Sequence, residues 1–412
     1  MNIKPGALLH QAFLERASNT DTPGAGDLGL GAFLTLRMVD QFRIGAQPNA
    51  DALNYQVRAT LDFVSGLSSD TAEVNHLRQI ARVGEQVLKR QEPRFLWAPM
   101  LAYGFWLEGE LRLAESLDVL DTALGLNPDG ESNDHVAALL LRGRVLRHLS
   151  RYTEATASYT ASGAMGKRLG DDHSERLGRI GCAIVMQKLG NLAAADESLR
   201  QVRHEAQAAG DRNAEARACH DIADGLYLMG RSDEGVAFAF HAYEVYEQRV
   251  DKLKALSDVG VLMKAIGNYH GAEDAFMVVL DGEPTALVRL NTVLELLELG
   301  TCSRDRVAFE RWRRELEAGR SLMPPDAHVD YEIKLGSGLA AFGRVARAKE
   351  VLESAVRRAE QHRLNKYLFR AEEALAAVGE TLENEQRPAP ERTQVAEVAE
   401  VAEKLQLLRA SA

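Results

Sequence analysis

Small residues recur along this chain at a nearly constant interval, and this recurrence limits the possible folds more than any other feature. Each set starts with a small residue, which is followed seven residues later by a glycine-type residue and five residues after that by a second small residue. The middle positions are separated by 41, 40, 40, 37, 33 and 43 residues. A repeat of this length is typical of helical solenoids, in which each unit is a pair of helices. These middle positions are Gly109, Ser150, Gly190, Gly230, Gly267, Gly300 and Gly343.

The residue types in the repeat fit two antiparallel helices joined by a tight turn. Helices approach closely only where the crossing point carries a small side chain, and glycine tolerates the left-handed conformation that ends a helix. The first small positions are Ala102, Gly143, Ala183, Ala223, Gly260 and Gly336, with Val293 as an exception. The second are Ala114, Ala155, Ala195, Gly235, Ala272 and Ala348, with Asp305 as an exception. Large residues expected in the seam are Phe105, Leu146, Met186, Leu226, Met263, Leu296 and Leu339.

This pattern resembles the tetratricopeptide repeat family over residues 95 to 365. The fifth repeat carries it most fully, with Gly260, Met263, Gly267, Ala272 and Phe276 in sequence. The resemblance implies an all-α fold, a right-handed superhelical solenoid of seven antiparallel helix pairs. It also implies that the first helix of each pair lines a concave binding surface.

The breaks in the pattern divide the chain into three parts. Residues 1–94 are predicted to be an N-terminal helical cap or degenerate repeats, because a terminal repeat must cover one apolar face. A separate effector domain is the alternative for this part. Residues 95–383 are the solenoid of about seven repeats, and residues 384–412 are a linker followed by an amphipathic helix.

The N-terminal part is predicted to contain a short helix within residues 1–18, a loop over 19–31 and helices near 30–45, 49–66 and 71–91. Asn49 and Asp70 are the expected N-caps of the last two. The glycines at 24, 26 and 29 have dinucleotide-loop spacing, but no strand precedes them, so a plain loop is favoured. Residues 80–87 weakly resemble a helix-turn-helix, yet the segment is uniformly helical in pattern, which disfavours DNA binding.

The C-terminal helix has an apolar stripe and follows a proline-containing, charged stretch that suits a flexible linker. Two interpretations remain open: a frayed extension, or a mobile helix that docks in a groove of the same chain or of a second copy. The latter would make a homo-oligomer through this helix. The stripe consists of Val395, Val398, Val401, Ala402, Leu405 and Leu408.

Composition narrows the function. The net charge of −11 argues against a general nucleic-acid binder, which needs a basic surface. The three cysteines show no paired spacing, and Cys182 and Cys219 are expected to act as small apolar residues. No signal-peptide pattern or 18-residue apolar run occurs, so a cytoplasmic location without membrane partners is expected.

Catalytic motifs for acyl transfer, zinc hydrolysis and nucleotide binding are missing from the sequence, so we expect no enzyme activity and no cofactor. His220 and Asp224 stand four residues apart on one helix face and could share a metal. A pair of polar residues lining a groove is the favoured interpretation, and no metal is expected.

The expected groove is aromatic at its N-terminal end, then basic, then acidic. Arginine suits carboxylates, and aromatic residues anchor partners at binding surfaces. A solvated surface of mixed charge is the alternative. The candidate binding residues are Tyr103, Trp106, Arg144, Arg147, His148, Lys188, His220, Asp221, Asp224, Tyr227 and Lys264.

Repeats near 40 residues with turns such as Leu169–Asp172 and Ala209–Arg212 are similar to the sensor repeats of bacterial regulators. These include the maltose-type transcription activators and the quorum-peptide receptors with their phosphatase relatives. We therefore expect a scaffold that binds a protein or an extended, acidic peptide. The alternative is a ligand- or peptide-sensing regulatory module, which would change shape on binding. An enzyme such as a phosphatase is the least favoured reading.

Overall fold

The computed structural model describes residues 9–18, 24–43, 49–67, 71–127, 130–320, 323–362, 364–380 and 396–411. Every regular element within these ranges is a helix. The chain divides into two compact units, Met1–Ser198 and Leu199–Ala412. The expected all-α repeat fold is confirmed.

Unit 1 contains four helices before the repeats begin. A single 3-10 turn, Pro93–Leu96, leads into the first repeat. The helices are α1 Gln11–Ala17, α2 Ala25–Asp40, α3 Ala50–Gly66, α4 Ala72–Arg90, α5 Trp97–Gly109, α6 Leu113–Leu124, α7 Asn133–His148, α8 Tyr152–Leu169 and α9 Asp172–Lys188. The next helix, α10 Leu192–Ala209, contains the boundary between the units.

Unit 2 continues the succession of helix pairs and ends with a separate helix. Its helices are α11 Arg212–Leu228, α12 Ser232–Val245, α13 Arg249–Ala265, α14 Tyr269–Asp281, α15 Ala286–Cys302, α16 Arg306–Ala318, α17 Pro325–Ala341, α18 Val345–Gln361, α19 Asn365–Glu380 and α20 Ala396–Ser411. Seven successive pairs thus run from α5 to α18 in the described part of the chain. We call the odd-numbered member of each pair its A helix and the even-numbered member its B helix.

Six of the seven turns within pairs share one hydrogen-bonded conformation. A residue with positive φ is followed by a residue whose N–H donates to a carbonyl five positions back, which is a Schellman-type helix end. Gly190, Gly230, Gly267 and Gly343 hold the positive-φ position as predicted, with φ between 72° and 84°. The donor–acceptor pairs are Arg112–Leu107, Arg151–Leu146, Asn191–Met186, Arg231–Leu226, Asn268–Met263 and Arg344–Leu339, at 2.8–2.9 Å.

The predicted register of the first repeat was wrong by two residues. Ala102 is exposed and Phe105 is 60% exposed, so neither lies in the seam. Gly104 is the buried crossing residue, and the Ser116 hydroxyl donates to its carbonyl at 2.7 Å. The positive-φ residue is Leu111 instead of Gly109, and Ser116 takes the place given to Ala114. Both series have small residues twelve apart, so spacing alone did not separate them.

The sixth repeat also departs from its predicted frame. Its positive-φ residue is Arg304, four positions after Gly300, and Asp305 caps α16 by accepting from the Val307 and Ala308 amides. The buried residue at the crossing is Phe309. A Cβ atom on Gly300 would lie 2.8 Å from the Phe309 amide nitrogen. Phe309, five residues after Arg304, therefore occupies the second small position of the frame, and Gly300 of the A helix leaves room for it.

Two glycine positions show why the frame needs small residues. A Cβ atom on Gly143 would lie 2.8 Å from the Tyr159 ring, and one on Gly260 would lie 2.5 Å from the Phe276 ring. Each aromatic ring comes from the B helix of the same pair. The A and B helices can pack at this distance only if the A helix carries no side chain there.

The N-terminal part contains the helices expected from the sequence, with one correction. Residues 25–31 belong to α2 instead of a loop, and a Cβ on Gly29 would lie 2.6 Å from the Ala17 nitrogen of α1. Asn49 caps α3 as predicted, whereas α4 is capped by Thr71; Asp70 lies outside the described residues. Residues 80–87 lie within α4 without a turn, which excludes a helix-turn-helix there.

The predicted linker, residues 384–393, also lies outside the described residues. Asp171 is the N-cap of α9 and Asp211 is the N-cap of α11, within the predicted turns. Their side chains accept from the Ser174 and Ala214 amides. Within the described ranges, no helix is long and apolar enough to cross a membrane.

Candidate functional site

A basic surface lies on the A helices of unit 1, where α7 and α9 end. Arg144 and Arg147 are on α7, and Lys188 is the last residue of α9. Two exposed apolar side chains accompany them: Phe105, 60% exposed, lies beside Arg144, and Leu189, 65% exposed, follows Lys188 in the sequence. We call these five residues the basic A-helix face. Phe105 and Leu189 were not predicted as binding residues.

Phe105 occupies the same repeat position as Arg144. Each is one residue after its crossing glycine, Gly104 or Gly143. The guanidinium carbon of Arg144 lies 5.4 Å from the Phe105 ring centre, and the Arg144 Nε donates to Glu108 at 2.5 Å. The register that starts at Ala102 placed Phe105 in the helix seam instead of on the surface. No signal in the sequence separates the two registers, because Gly104–Ser116 has the same twelve-residue spacing as Ala102–Ala114.

Arg147 and Lys188 are the charges on this face that stay available. Neither has an ion-pair partner among the described residues, and the buried Nε of Arg147 has no hydrogen-bond partner there. Arg144, in contrast, is held by Glu108 and is already neutralised. The face therefore presents positive charge chiefly through Arg147 and Lys188, because a guanidinium without a carboxylate partner retains its full field.

His148 adds a neutral polar group to the basic A-helix face. Loss of hydration, together with the charges of Arg147, Arg144 and Lys188, lowers the pKa of His148 to about 4. The imidazole is therefore uncharged at neutral pH. Its Nε2 accepts from the Arg147 guanidinium at 3.4 Å, so the ring can still donate one hydrogen bond through Nδ1.

Tyr103 and Trp106 do not lie on an open groove, which corrects the prediction. Tyr103 is fully buried, and its hydroxyl donates to Glu73 at 2.7 Å. The half-buried Trp106 ring packs on His76 with centres 5.7 Å apart, and Arg112 lies over it. The two-residue register error explains both misplacements.

Glu73 is the centre of a buried ionic cluster that joins α1, α4 and α6. Arg16 and Arg112 each form two hydrogen bonds to its carboxylate at 2.8–3.1 Å. Burial still raises the pKa of Glu73, and burial likewise raises the pKa of nearby Glu115 to about 7. The cluster holds the short helix α1 in place and offers no open surface to a ligand.

In unit 2, the A helices bring His220, Asp224 and Asp258 together. Their ligand atoms all lie within 4.8 Å of one another. Burial lowers the pKa of His220, but its hydrogen bond to Asp258, 2.5 Å long, raises that pKa to about 9 overall. Three such ligands could hold a zinc ion, although the imidazole must first lose its proton. The observed arrangement is an ion pair, with the Tyr246 hydroxyl 3.3 Å from the other ring nitrogen.

Lys264 is not an exposed groove residue, which corrects another prediction. It is mostly buried and forms ion pairs with Glu295 and Glu298 of α15. Lys334 shares both carboxylates and also pairs with Asp330 at 3.0 Å. Tyr227 is 46% exposed and Asp224 is exposed, as expected for residues on an open surface. Asp221 is half-buried.

The cysteines on the A helices are packing residues. Burial raises the pKa of Cys182, and it raises that of Cys219 to about 12. Both thiols are therefore protonated at neutral pH and are poor nucleophiles. This agrees with their interpretation as small apolar residues.

No protein-family model matches the chain. No curated protein matches it either. Among solved structures, the apo form of the quorum sensor NprR from B. thuringiensis has a TM-score of 0.54 and 14% identity, covering 86% of this chain and 99% of that chain. The likeness shows a shared repeat fold.

Two further solved structures have lower scores. The Rap conjugation gene regulator of plasmid pLS20, solved with the Phr* peptide, has a TM-score of 0.49 and 11% identity, covering 86% of this chain and 97% of that chain. A tetratricopeptide repeat protein from Parabacteroides merdae has a TM-score of 0.44 and 15% identity, covering 67% and 98%. The all-α repeat fold of the chain therefore rests on its own helix pairs and on the likeness to NprR.

Proposed function

We propose that this chain is a peptide-binding regulatory module, and that the basic A-helix face of unit 1 is its binding surface. The observation that carries the proposal is the pair of unpaired cations, Arg147 and Lys188, next to two exposed apolar side chains. The likeness in fold to a quorum sensor supports the regulatory part of the proposal.

The chemistry of the face selects the ligand. A guanidinium and an ammonium bind carboxylates through charge-assisted hydrogen bonds, and Phe105 and Leu189 favour an apolar or aromatic side chain beside them. The ligand is therefore an extended acidic peptide, or a segment of a protein, with an apolar residue near its carboxylates. Binding without catalysis is proposed, in the cytoplasm expected from the sequence.

Anisotropy of labelled heptapeptides tests the proposal on the full-length chain. One probe carries two glutamates and a phenylalanine, and two matched probes carry glutamine or lysine in place of the glutamates. We expect the acidic probe to bind most tightly. Arg147→Glu combined with Lys188→Glu should weaken it at least about tenfold, because each lost charged contact is worth about 1.5–3 kcal/mol.

A matched control separates this effect from net charge. Lys349 and Arg357 are exposed on α18, and reversing both changes the net charge by the same amount. The Lys349→Glu and Arg357→Glu variant should bind the acidic probe like the wild type. Equal losses in both variants, or equal binding of all three probes, would contradict the proposed site.

A sensor changes its shape when the peptide binds, whereas a rigid scaffold does not. The fold likeness to a quorum sensor favours a sensor, in which the bound peptide alters the spacing of the repeats. Small-angle scattering with saturating acidic probe should then show a change in radius of gyration. If the peptide binds fully and the radius of gyration does not change, the peptide site is retained but the sensing role is rejected.

A further inference from the structure

The last helix, α20, occupies a surface that the proposed function does not use. It packs in unit 2 against α12 and α14, which are the B helices of two successive pairs. Its side chains at positions i, i+3 and i+7 enter the core: Val398 is 1%, Val401 5% and Leu405 0% exposed. The surface between α12 and α14 therefore accepts an amphipathic helix with this stripe.

The rim of this surface is acidic. Arg409 forms an ion pair with Asp274 at 2.5 Å, and Lys404 lies 3.6 Å from Glu244. The Lys404 ammonium also sits over the Phe240 ring, 5.4 Å from its centre. Asp274 is 7% exposed in this state, so its carboxylate depends on a basic residue from the bound helix.

The chain itself fits the acidic rim incompletely. Besides Lys404 and Arg409, α20 carries the exposed residues Glu397, Glu400 and Glu403. Lys404 is shared between Glu244 of α12 and Glu400 of its own helix, at 3.6 and 3.1 Å. A helix with the same apolar stripe and a basic residue in place of Glu400 would meet the rim with better charge complementarity, and loss of the negative charges of Glu397 and Glu403 would reduce the long-range repulsion.

The folded state of α20 depends on the surface that it covers. A helix of 16 residues is marginal by itself in water, so its folded state depends on this surface. Residues 381–395 connect it to α19. This connection of 15 residues spans at most about 50 Å.

We propose that the α12–α14 surface is a second binding site, for a basic amphipathic helix of a partner protein, and that α20 is its tethered internal occupant. The partner helix must displace α20 to bind. This site does not depend on the basic A-helix face, so each can fail without the other.

The test uses the full-length chain and a labelled peptide as the probe. The peptide has the sequence of residues 396–411 with E397K, E400K and E403K, which makes it basic while keeping the stripe. Leu405→Asp in the chain should release α20 and leave the surface intact. Since a closed site lowers apparent affinity by the open fraction, we expect the probe to bind this variant about tenfold more tightly than the wild type.

The matched control is Leu407→Asp, at a position that is 67% exposed on the same helix. It should leave probe binding at the wild-type level. On the surface itself, Asp274→Arg in the Leu405→Asp chain should weaken the probe, and a probe that also carries R409E should recover binding. This charge exchange identifies the contact even if either chain variant loses some stability.

Several results would overturn the proposal. Equal probe binding by the Leu405→Asp and Leu407→Asp chains, or no effect of Asp274→Arg, would show that the surface is not a helix site in trans. No probe binding to a Leu405→Asp chain whose circular dichroism shows the loss of one helix and no more would do the same. Wild-type dimers that Leu405→Asp dissociates would assign the surface to a second copy of this chain instead.

Discussion

The A helices of unit 1 and unit 2 carry charged residues at the same repeat positions, yet those charges have different surroundings. Arg147 and Lys264 each follow a crossing glycine by four residues. Arg147 has no ion-pair partner among the described residues, whereas Lys264 is buried between Glu295 and Glu298 of the next A helix. The repeat position places a charge on the face, and the neighbouring helix decides whether that charge is available to a ligand.

This difference assigns different roles to the two regions. In unit 2, the carboxylates of α15 neutralise Lys264 and Lys334, and the resulting ion pairs connect successive repeats. In unit 1, the positions of α9 that correspond to Glu295 and Glu298, counted back from the positive-φ residues Gly190 and Arg304, are Gly181 and Ile184, and neither carries a carboxylate. We therefore attribute a structural role to the unit 2 charges and a binding role to the unit 1 charges.

The largest expected effect comes from exchanging the two equivalent residues for alanine. Lys264→Ala should lower the free energy of unfolding by about 3–5 kcal/mol, because it leaves two partly buried carboxylates without one of their cations. Arg147→Ala should change it by about 0.5 kcal/mol or less. Urea denaturation followed by circular dichroism measures both. Equal losses would break the comparison between the two regions.

A second effect depends on pH. The pKa of His220 is about 9 in the folded chain because of Asp258, against about 6.5 for an unfolded histidine. Its stabilising contribution is therefore complete below pH 6.5 and disappears as the pH rises through 9. It amounts to at most about 3 kcal/mol.

The unfolding free energy at pH 6 and pH 9.5 tests this contribution. His220→Gln should reduce the pH dependence between these values. His10 of unit 1, whose pKa is raised to about 9 by Asp118 and Asp40 against the effect of burial, contributes in the same direction, and so does Glu115, whose pKa burial raises to about 7. An unchanged pH dependence in His220→Gln would mean that the imidazole is not charged in the folded chain.

The helix crossings should respond to a bulky residue by a smaller amount. Gly260→Leu places a side chain where even a Cβ lies 2.5 Å from the Phe276 ring. The expected loss of stability is about 1–3 kcal/mol. Ala102→Leu, at the exposed position that the sequence wrongly identified as a crossing, should be nearly neutral. A destabilised Ala102→Leu chain would restore the predicted register of the first repeat.

The fold was predictable to the extent that small residues mark the crossings. The repeats with Gly143 and Gly260 were placed correctly because glycine there faces an aromatic ring at the expected spacing. The first repeat offered two series of small residues, and only burial distinguishes Gly104 from Ala102. The prediction for the sixth repeat was wrong because Phe309 occupies the B-helix position that holds a small residue in the other repeats.

The binding face was predictable only in part. Helical periodicity places Arg144, Arg147 and Lys188 on exposed sides of their helices, since the repeat frame fixes which side faces the core. Ion pairing does not follow from periodicity. Lys264 and Glu295 are 31 residues apart, and the pattern of small residues does not predict which charges lie on the A helix of the following repeat.

Photo-crosslinking locates the residues at which an acidic peptide contacts the chain. A heptapeptide with two glutamates and a photoreactive benzoylphenylalanine is irradiated with the full-length chain, and the cross-linked fragments are identified by mass spectrometry. The account predicts cross-links to the segments that contain Phe105 and Leu189, and their loss in the chain with Arg147→Glu and Lys188→Glu. Cross-links concentrated at Tyr227 or on α18, unaffected by those substitutions, would contradict it.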